Sequence, residues 1–142
     1  MTPSAMNVLL ARKRILFVDD DPIILAGLRN LFRKDRVRWD MVFALSGEAA
    51  LDEAGKQPFD VVVSDQGMPG IDGVTLLSEI NAEHPETALV LLSGLDIEPT
   101  ASALPTLRLL SKPCDTATLR EEIERCIDRP TLIDGVEGLT AA

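Results

Sequence analysis

The chain has 142 residues, of which 46% are hydrophobic and 26% are charged, and its formal net charge at pH 7 is −9. These values are typical of one folded globular domain, and they exclude a disordered chain. The acidic balance argues against direct nucleic-acid binding. Two cysteines and one histidine are too few for a zinc site or a disulfide framework. No apolar run is long enough to span a membrane. The two thiols fit a reducing compartment, so we expect a cytoplasmic protein.

Five short apolar runs, rich in branched residues, are spread along the chain. Because they are continuous and do not alternate with polar residues, they are typical of parallel strands buried on both faces. The runs are residues 15–18, 41–45, 61–63, 88–92 and 107–110.

Helical patterns lie between the runs. The first follows Pro22, where Ile24, Leu28 and Leu31 recur at helical spacing and should face the core. Residues that can cap a helix precede each helical pattern: Asp21, Ser46, Asp72 and Asp115. Between the fourth and fifth runs the chain contains two prolines, so any helix there is short.

This alternation predicts a single doubly wound α/β domain of the (βα)5 type. Residues 14–128 form that domain in this interpretation. Residues 1–13 are interpreted as a flexible N-terminal arm, because their basic residues follow the apolar patch instead of preceding it as in a signal peptide. Residues 129–142 lack periodicity and are interpreted as a tail or the remnant of a linker.

Polar and charged residues follow four of the five predicted strands. Strand one ends in three aspartates, strand three in Asp65, strand four in Ser93 and strand five in Lys112. The carboxyl ends of parallel strands meet at one edge of the sheet, where ligands bind. Each residue alone has an ordinary explanation as a cap, a turn or a surface charge. The four strand ends together predict a site.

The chemistry of that site follows from its groups. Clustered carboxylates attract a hard divalent cation, and Mg²⁺ prefers oxygen ligands. A carboxylate beside such a metal can attack phosphorus and form an aspartyl phosphate. The metal, Lys112 and the Ser93 hydroxyl would then hold the three phosphoryl oxygens, since phosphoryl transfer needs charge neutralisation and positioning.

Four motifs, "ILFVDDDP", "VVVSDQGMPGIDG", "LLSG" and "LLSKP", closely resemble the response-regulator receiver domain of two-component signalling. The likeness extends over roughly residues 14–127 and implies a flavodoxin-like fold with a parallel five-stranded sheet of order 2-1-3-4-5. Two stretches, "WDMVFALSGEAAL" and "LLSKPC", are similar to receivers that precede HD-type output domains. The chain is then either a stand-alone receiver or a fragment of a longer protein.

The resemblance implies a role for each residue of the site. Asp65 would be the phosphoacceptor, Ser93 the switch hydroxyl and Lys112 the partner of the phosphoryl group. The implied Mg²⁺ ligands are the carboxylates of Asp20 and Asp65, the backbone carbonyl of Gly67 and, through water, Asp19. The phosphoryl donor would be a sensor histidine kinase or a histidine phosphotransfer protein, and a homodimer is left open.

The sequence departs from the family pattern at positions near the site. Gly67 has no side chain beside the phosphoryl group, and Leu109 stands where many receivers have a Tyr or Phe that acts as a rotating switch. The resemblance implies that phosphorylation changes the face formed by residues 93–105, strand five and the last helix, here called the read-out face. We expect this face to respond weakly, and we expect the Lys112–Pro113 bond to be cis.

The leading hypothesis is a phosphorylation-dependent signalling switch that catalyses only its own phosphorylation and dephosphorylation. One alternative is a haloacid-dehalogenase-like phosphatase, an enzyme whose nucleophile would be Asp19 in a D-x-D motif. The other is a binding module that keeps the receiver fold without phosphorylation, whose sequence signature would be a missing Asp65 or Lys112.

Overall fold

The computed structural model describes residues 12–94, 104 and 107–128. These residues form five strands, four α-helices and one short 3₁₀ helix. In chain order they are β1 (Lys13–Val18), α1 (Pro22–Leu31), the 3₁₀ helix (Arg33–Val37), β2 (Trp39–Ala44), α2 (Gly47–Lys56), β3 (Val61–Asp65), α3 (Gly73–Glu83), β4 (Ala88–Ser93), β5 (Leu107–Ser111) and α4 (Thr116–Asp128). The predicted arm, the predicted tail and the short helix expected after Ser93 lie almost entirely outside the described residues.

The five strands form one parallel sheet of order β2-β1-β3-β4-β5. Ile15 in β1 pairs with Met41 of β2 on one side and with Val61 of β3 on the other. The strand order reverses beside β1, so the carboxyl ends of β1 and β3 form the switch point at which doubly wound folds bind ligands. The predicted fold class and strand order are confirmed.

Burial differs between the central and the edge strands. All five residues of β3 are buried, and β1 and β4 are buried along most of their length. In β2 the four inner residues are only half-buried, and β5 is half-buried or exposed throughout. The expectation of burial on both faces was therefore wrong for the edge strands, because an edge strand has neighbouring strands and the helices that pack on them on one side only.

The first helix, α1, turns a different face to the core from the one predicted. Ile24 and Leu31 are 46% and 53% exposed, whereas Leu25 is buried and Leu28 is half-buried. Phe32, directly after the helix, is fully buried, and its ring lies 5.5 Å from that of Phe17. Burial of this large aromatic ring sets the rotation of the helix, because it removes more apolar area from water than Leu31 would.

Side-chain caps begin the four helices, as predicted. In each case a carboxylate or hydroxyl oxygen accepts a hydrogen bond from a backbone amide of the first turn. The bonds are Ile23 N to Asp21 Oδ1 (2.9 Å), Ala49 N to Ser46 Oγ (3.0 Å), Thr75 N to Asp72 Oδ1 (2.9 Å) and Thr118 N to Asp115 Oδ1 (2.7 Å). The caps fix where each helix starts relative to the strand before it, and so they shape the carboxyl edge of the sheet.

Candidate functional site

An acidic cluster lies at the carboxyl ends of β1 and β3. Asp19 and Asp20 follow β1, Asp65 is the last residue of β3, and one carboxylate oxygen of each lies within 4.8 Å of the others. Asp19 and Asp65 are 7% and 6% exposed, whereas Asp20 is exposed. The cluster is therefore a pocket with two carboxylates in its wall and one at its mouth.

The electrostatics of the cluster are unfavourable in the absence of a cation. The pKa of Asp19 is raised above its usual value, mainly because burial disfavours the charged form. The charges of Asp65 and Asp20 raise it further, while the hydrogen bond from the Asp21 amide (2.9 Å) and the charge of Lys112 oppose the rise. Like charges held this close create a demand for a counter-ion.

Lys112 supplies one positive charge from the other side of the pocket. Its ammonium forms an ion pair with Asp65 Oδ1, and its side chain is 42% exposed. The Lys112 amide donates to the carbonyl of Ser93 (2.9 Å), and the Lys112–Pro113 bond is cis, which confirms that prediction. The ammonium thus contacts the acidic cluster through Asp65.

Ser93 and Gly67 complete the predicted set. Ser93 is the last residue of β4 and is buried. Gly67 lies in the loop after Asp65, and a Cβ added to it would meet nothing within 4 Å. This position therefore leaves open space near Asp65, as expected from the missing side chain. The role of the Gly67 carbonyl as a metal ligand stays a prediction.

Two residues that position Asp65 were missed in the sequence. A Cβ added to Gly73 would lie 2.5 Å from the backbone oxygen of Asp65, so only glycine lets α3 begin this close to β3. The side chain of Gln66 accepts from the amide of Val74 (2.8 Å) and its backbone oxygen accepts from that of Gly73 (3.1 Å). Both residues stand inside the quoted motif, but their contacts are set by how α3 meets the sheet.

The read-out face is described only in part. Leu109 in β5 is 44% exposed, in keeping with its position on an edge strand. Arg108 Nη1 lies 3.3 Å from Oε2 of the buried Glu122, which joins β5 to α4. Residues 95–103 and 105, which the prediction assigns to this face, lie outside the described residues.

Comparison with known proteins agrees with the arrangement of carboxylates and lysine at this edge of the sheet. The sequence profile of the response regulator receiver domain matches residues 15–124. The chain belongs to this family. Receiver domains are in general signalling modules of response regulators and not enzymes that turn over a metabolite, and they bind Mg²⁺ at an acidic pocket such as the one described above.

Individual relatives agree with this assignment. The transcriptional regulatory protein ZraR of Escherichia coli K12 is 32% identical over 123 residues, which are 84% of this chain but 27% of ZraR. A response regulator receiver domain protein from Clostridium thermocellum has a TM-score of 0.75 at 29% identity, covering 82% of this chain and 95% of that one. The signal receiver domain of an HD domain-containing protein from Pseudomonas fluorescens Pf-5 has a TM-score of 0.67 at 31% identity, covering 82% and 98%.

These findings decide between the predicted function classes. The receiver family and its phosphorylation-dependent signalling function are confirmed, and the phosphatase and the phosphorylation-independent module are not favoured. The geometry also disfavours Asp19 as a nucleophile, because the lysine pairs with Asp65. Among the described residues no helix is long and apolar enough to cross a membrane. The chain spans about a quarter of ZraR, so the activity of any whole protein is a separate question.

Proposed function

We propose that Asp65 accepts a phosphoryl group from a phosphohistidine of a sensor histidine kinase or of a histidine phosphotransfer protein. The observation that carries this proposal is the position of the buried Asp65 carboxylate between an acidic cluster and the Lys112 ammonium. An oxygen of Asp65 forms the new P–O bond while the P–N bond to the donor breaks, and the imidazole nitrogen keeps the electron pair of that bond.

The residues around Asp65 have separate tasks in this proposal. Lys112 is paired with Asp65 before transfer, and its three N–H donors are close enough to move onto the incoming phosphoryl oxygens. Ser93, at the end of the neighbouring strand, offers a hydroxyl to the same group once it is attached. Gly67 leaves the approach open. The chain would thus catalyse only its own phosphorylation and dephosphorylation.

The donor set of the acidic cluster fits Mg²⁺. Its ligands would be carboxylate oxygens of Asp20 and Asp65 and the carbonyl of Gly67, with Asp19 acting through water. All are hard oxygen donors. The charges of Asp65 and Asp20 add to the effect of burial in raising the pKa of Asp19, and a divalent cation would oppose that rise. When bound, Mg²⁺ supplies charge neutralisation for the carboxylates and for the phosphoryl oxygens.

The surface beside the pocket suits a protein donor. Ile23 and Ile24, in the first turn of α1, are 79% and 46% exposed. Ile24 also lines a cavity of about 490 Å³ together with Leu28, Pro113 and Leu119, and the cavity reaches Asp19 and Lys112. An apolar surface that adjoins the nucleophile can dock a partner helix whose histidine then faces Asp65.

We propose that residues 14–128 form the receiver unit, that residues 1–13 are an arm and that residues 129–142 are a tail or linker remnant. We also propose that the domain acts in the cytoplasm, where it would meet its phosphoryl donor. If the chain is a fragment of a longer protein, the likeness to a receiver of an HD domain-containing protein supports an HD-type output domain as a partner. Homodimer formation stays open.

Mass spectrometry after incubation with acetyl phosphate and Mg²⁺ tests the chemistry and the site together. The wild-type chain should gain one phosphoryl group, and Asp65→Asn should gain none. Asp20→Asn should be labelled more slowly because cation binding is weakened, and Lys112→Ala should keep Mg²⁺ binding but lose phosphoryl occupancy. Asp52→Asn removes a carboxylate that is 75% exposed on α2, and this control should behave as wild type.

Two results would contradict the proposal. Full labelling in EDTA would show that no divalent cation is needed. Labelling that survives in Asp65→Asn but is lost in Asp19→Asn would assign the nucleophile to Asp19 and restore the phosphatase alternative.

A further inference from the structure

The basic residues of this acidic chain are concentrated in one part of the sequence. Of the 14 lysines and arginines, eight lie between residues 12 and 38. They are Arg12, Lys13, Arg14, Arg29, Arg33, Lys34, Arg36 and Arg38. Because the first strand begins within this stretch and the 3₁₀ helix precedes the second, the positive charge gathers near the amino ends of β1 and β2. This is the edge of the sheet opposite to the acidic cluster.

Some of these cations have carboxylate partners and others do not. Arg14 pairs with Asp40 (3.3 Å), and Arg38 pairs with Asp35 (2.8 Å). Within the part of the chain that the structure describes, no carboxylate forms an ion pair with the other six: Arg12, Lys13, Arg29, Arg33, Lys34 and Arg36. The partnered arginines stabilise the fold, whereas no described carboxylate neutralises the positive charge of the other six residues.

Three of the unpaired arginines converge on one cavity along the outer edge of β2. The cavity has a volume of about 440 Å³ and is lined by Arg12, Arg29 and Arg36 together with residues 39–43 of β2. Asp40 is the one carboxylate among the described residues that line it, and its charge is already opposed by Arg14 at 3.3 Å. We call this cavity the guanidinium cleft.

The cleft is held in place by contacts of its own. The guanidinium of Arg29 lies 4.7 Å from the ring centroid of Phe43, which in turn stacks on the buried Phe17 at 5.2 Å. Arg12 Nη1 donates to the backbone carbonyl of Arg36 (2.7 Å). This hydrogen bond fixes the Arg12 guanidinium beside the backbone of Arg36, and both residues line the cleft. The guanidinium groups of Arg12 and Arg29 are therefore held at the cleft before any anion binds, which lowers the cost of ordering them.

We propose that the guanidinium cleft binds the phosphate groups of a small ligand that carries two or more linked phosphates. Guanidinium groups present paired N–H donors that match phosphate oxygens, and several of them suit a diphosphate better than a single carboxylate. The volume of about 440 Å³ lies within the range of small-molecule sites. The site is separate from the acidic cluster, since Arg12 precedes β1 and Asp19 follows it, about 20 Å away along six residues.

The overall charge favours a small ligand over a long polyanion. The formal net charge of the chain is −9, so a nucleic acid that extended beyond the cleft would meet repulsion from the rest of the surface. A small ligand experiences mainly the local charges, because salt screens interactions beyond about 8 Å. An acidic peptide is disfavoured because its carboxylates are spaced along a chain and cannot present as many oxygens within one cavity.

The test is titration of the full chain with inorganic pyrophosphate, followed by NMR, without divalent cations and at physiological ionic strength. Amides of β2 and of the 3₁₀ helix should shift, and those around Asp65 should not. Arg29→Gln and Arg36→Gln should each weaken binding by about tenfold. Arg36→Gln leaves the backbone oxygen that Arg12 contacts intact, so it tests the site even where Arg29→Gln disturbs packing against Phe43.

The matched control is Arg33→Gln, which removes the same charge from the same 3₁₀ helix. Arg33 has no ion pair with a described carboxylate and lines a separate hollow with Arg120, so this variant should bind pyrophosphate as wild type does. Equal weakening in Arg33→Gln and Arg36→Gln would overturn the proposal, because a diffuse field would then be responsible. Absence of binding at millimolar pyrophosphate, or tighter binding of a short DNA duplex or of an oligoglutamate peptide, would also overturn it.

Discussion

Replacement of Asp19 by Asn is expected to stabilise the protein in the absence of a divalent cation. The carboxylate oxygens of Asp19, Asp20 and Asp65 lie within 4.8 Å of one another. Two unit charges at that distance repel by about 3 kcal/mol at an effective dielectric constant near 20. Lys112 and the Asp21 amide offset part of this repulsion. We therefore expect a gain of about 1–2 kcal/mol in the free energy of unfolding, and Asn keeps an oxygen that can accept from the Asp21 amide.

The pH dependence of that gain follows from the direction of the pKa shift. Because the pKa of Asp19 is raised in the folded protein, the folded state binds more protons than the unfolded state between the usual carboxyl pKa and the raised value. The wild-type protein therefore loses stability relative to Asp19→Asn as the pH rises through this window. The difference in free energy of unfolding between Asp19→Asn and the wild type should be fully present at pH values above the raised pKa. It should vanish at pH values below the usual carboxyl pKa.

Urea denaturation at several pH values, with EDTA or with Mg²⁺, measures these differences. Saturating Mg²⁺ should stabilise the wild type, by about 2.7 kcal/mol at a hundredfold excess over the dissociation constant, and should stabilise Asp19→Asn less. Asp52→Asn removes an exposed charge on α2, so it should change neither the stability in EDTA nor the stabilisation by Mg²⁺. A lower stability of Asp19→Asn in EDTA at neutral pH would refute the reasoning, because it would show that the cluster is stabilising without a cation.

Three further predictions concern residues around the site and the fold. Gly73→Ala should lower the free energy of unfolding by about 1–3 kcal/mol and slow the proposed phosphorylation, because its Cβ would overlap the backbone oxygen of Asp65. Gly67→Ala should be nearly neutral in a denaturant titration, because its Cβ would meet nothing within 4 Å. Asp35→Asn should lower the free energy of unfolding by about 2 kcal/mol, because this buried carboxylate pairs with Arg38, which follows the 3₁₀ helix, and with Arg120 of α4. In the same denaturant titration, Asp52→Asn should lower it by less than about 0.5 kcal/mol. Beryllofluoride should change amide exchange only slightly over residues 107–110, and a large protection there would contradict the expected weak response of the read-out face.

The strand ends were predictable because parallel pairing leaves little freedom. Once five apolar runs alternate with helices, the carboxyl ends of the strands share one edge, and Asp65 and Lys112 are both placed there. The caps were predictable for a similar reason, since a short oxygen-bearing side chain before an apolar periodic stretch satisfies amides that have no other partner. These inferences need only the chain direction and local hydrogen bonding.

Other features depended on contacts that no local pattern contains. The predicted rotation of α1 was wrong because Phe32, which follows Leu31 at the end of the predicted helical pattern, fills the space beside Phe17. The role of Gly73 depends on how closely α3 approaches the end of β3, and a glycine in a "GMPGIDG" loop has many possible reasons. Edge strands were not distinguished from central ones, because a short apolar run has the same composition in either place.

The net charge of the chain likewise does not predict where the charges lie in the fold. A value of −9 describes the average over all residues, yet the fold places the three aspartates that follow β1 at one edge of the sheet and a group of unpaired arginines at the other. At the carboxyl edge the carboxylates repel one another, and the fold holds them within 4.8 Å. A cation that relieves the net repulsion of about 1–2 kcal/mol gains roughly tenfold in affinity. At the amino edge the arginines line one cavity whose one described carboxylate, Asp40, is paired with Arg14, and an anion that binds there gains from the positive charge that is left.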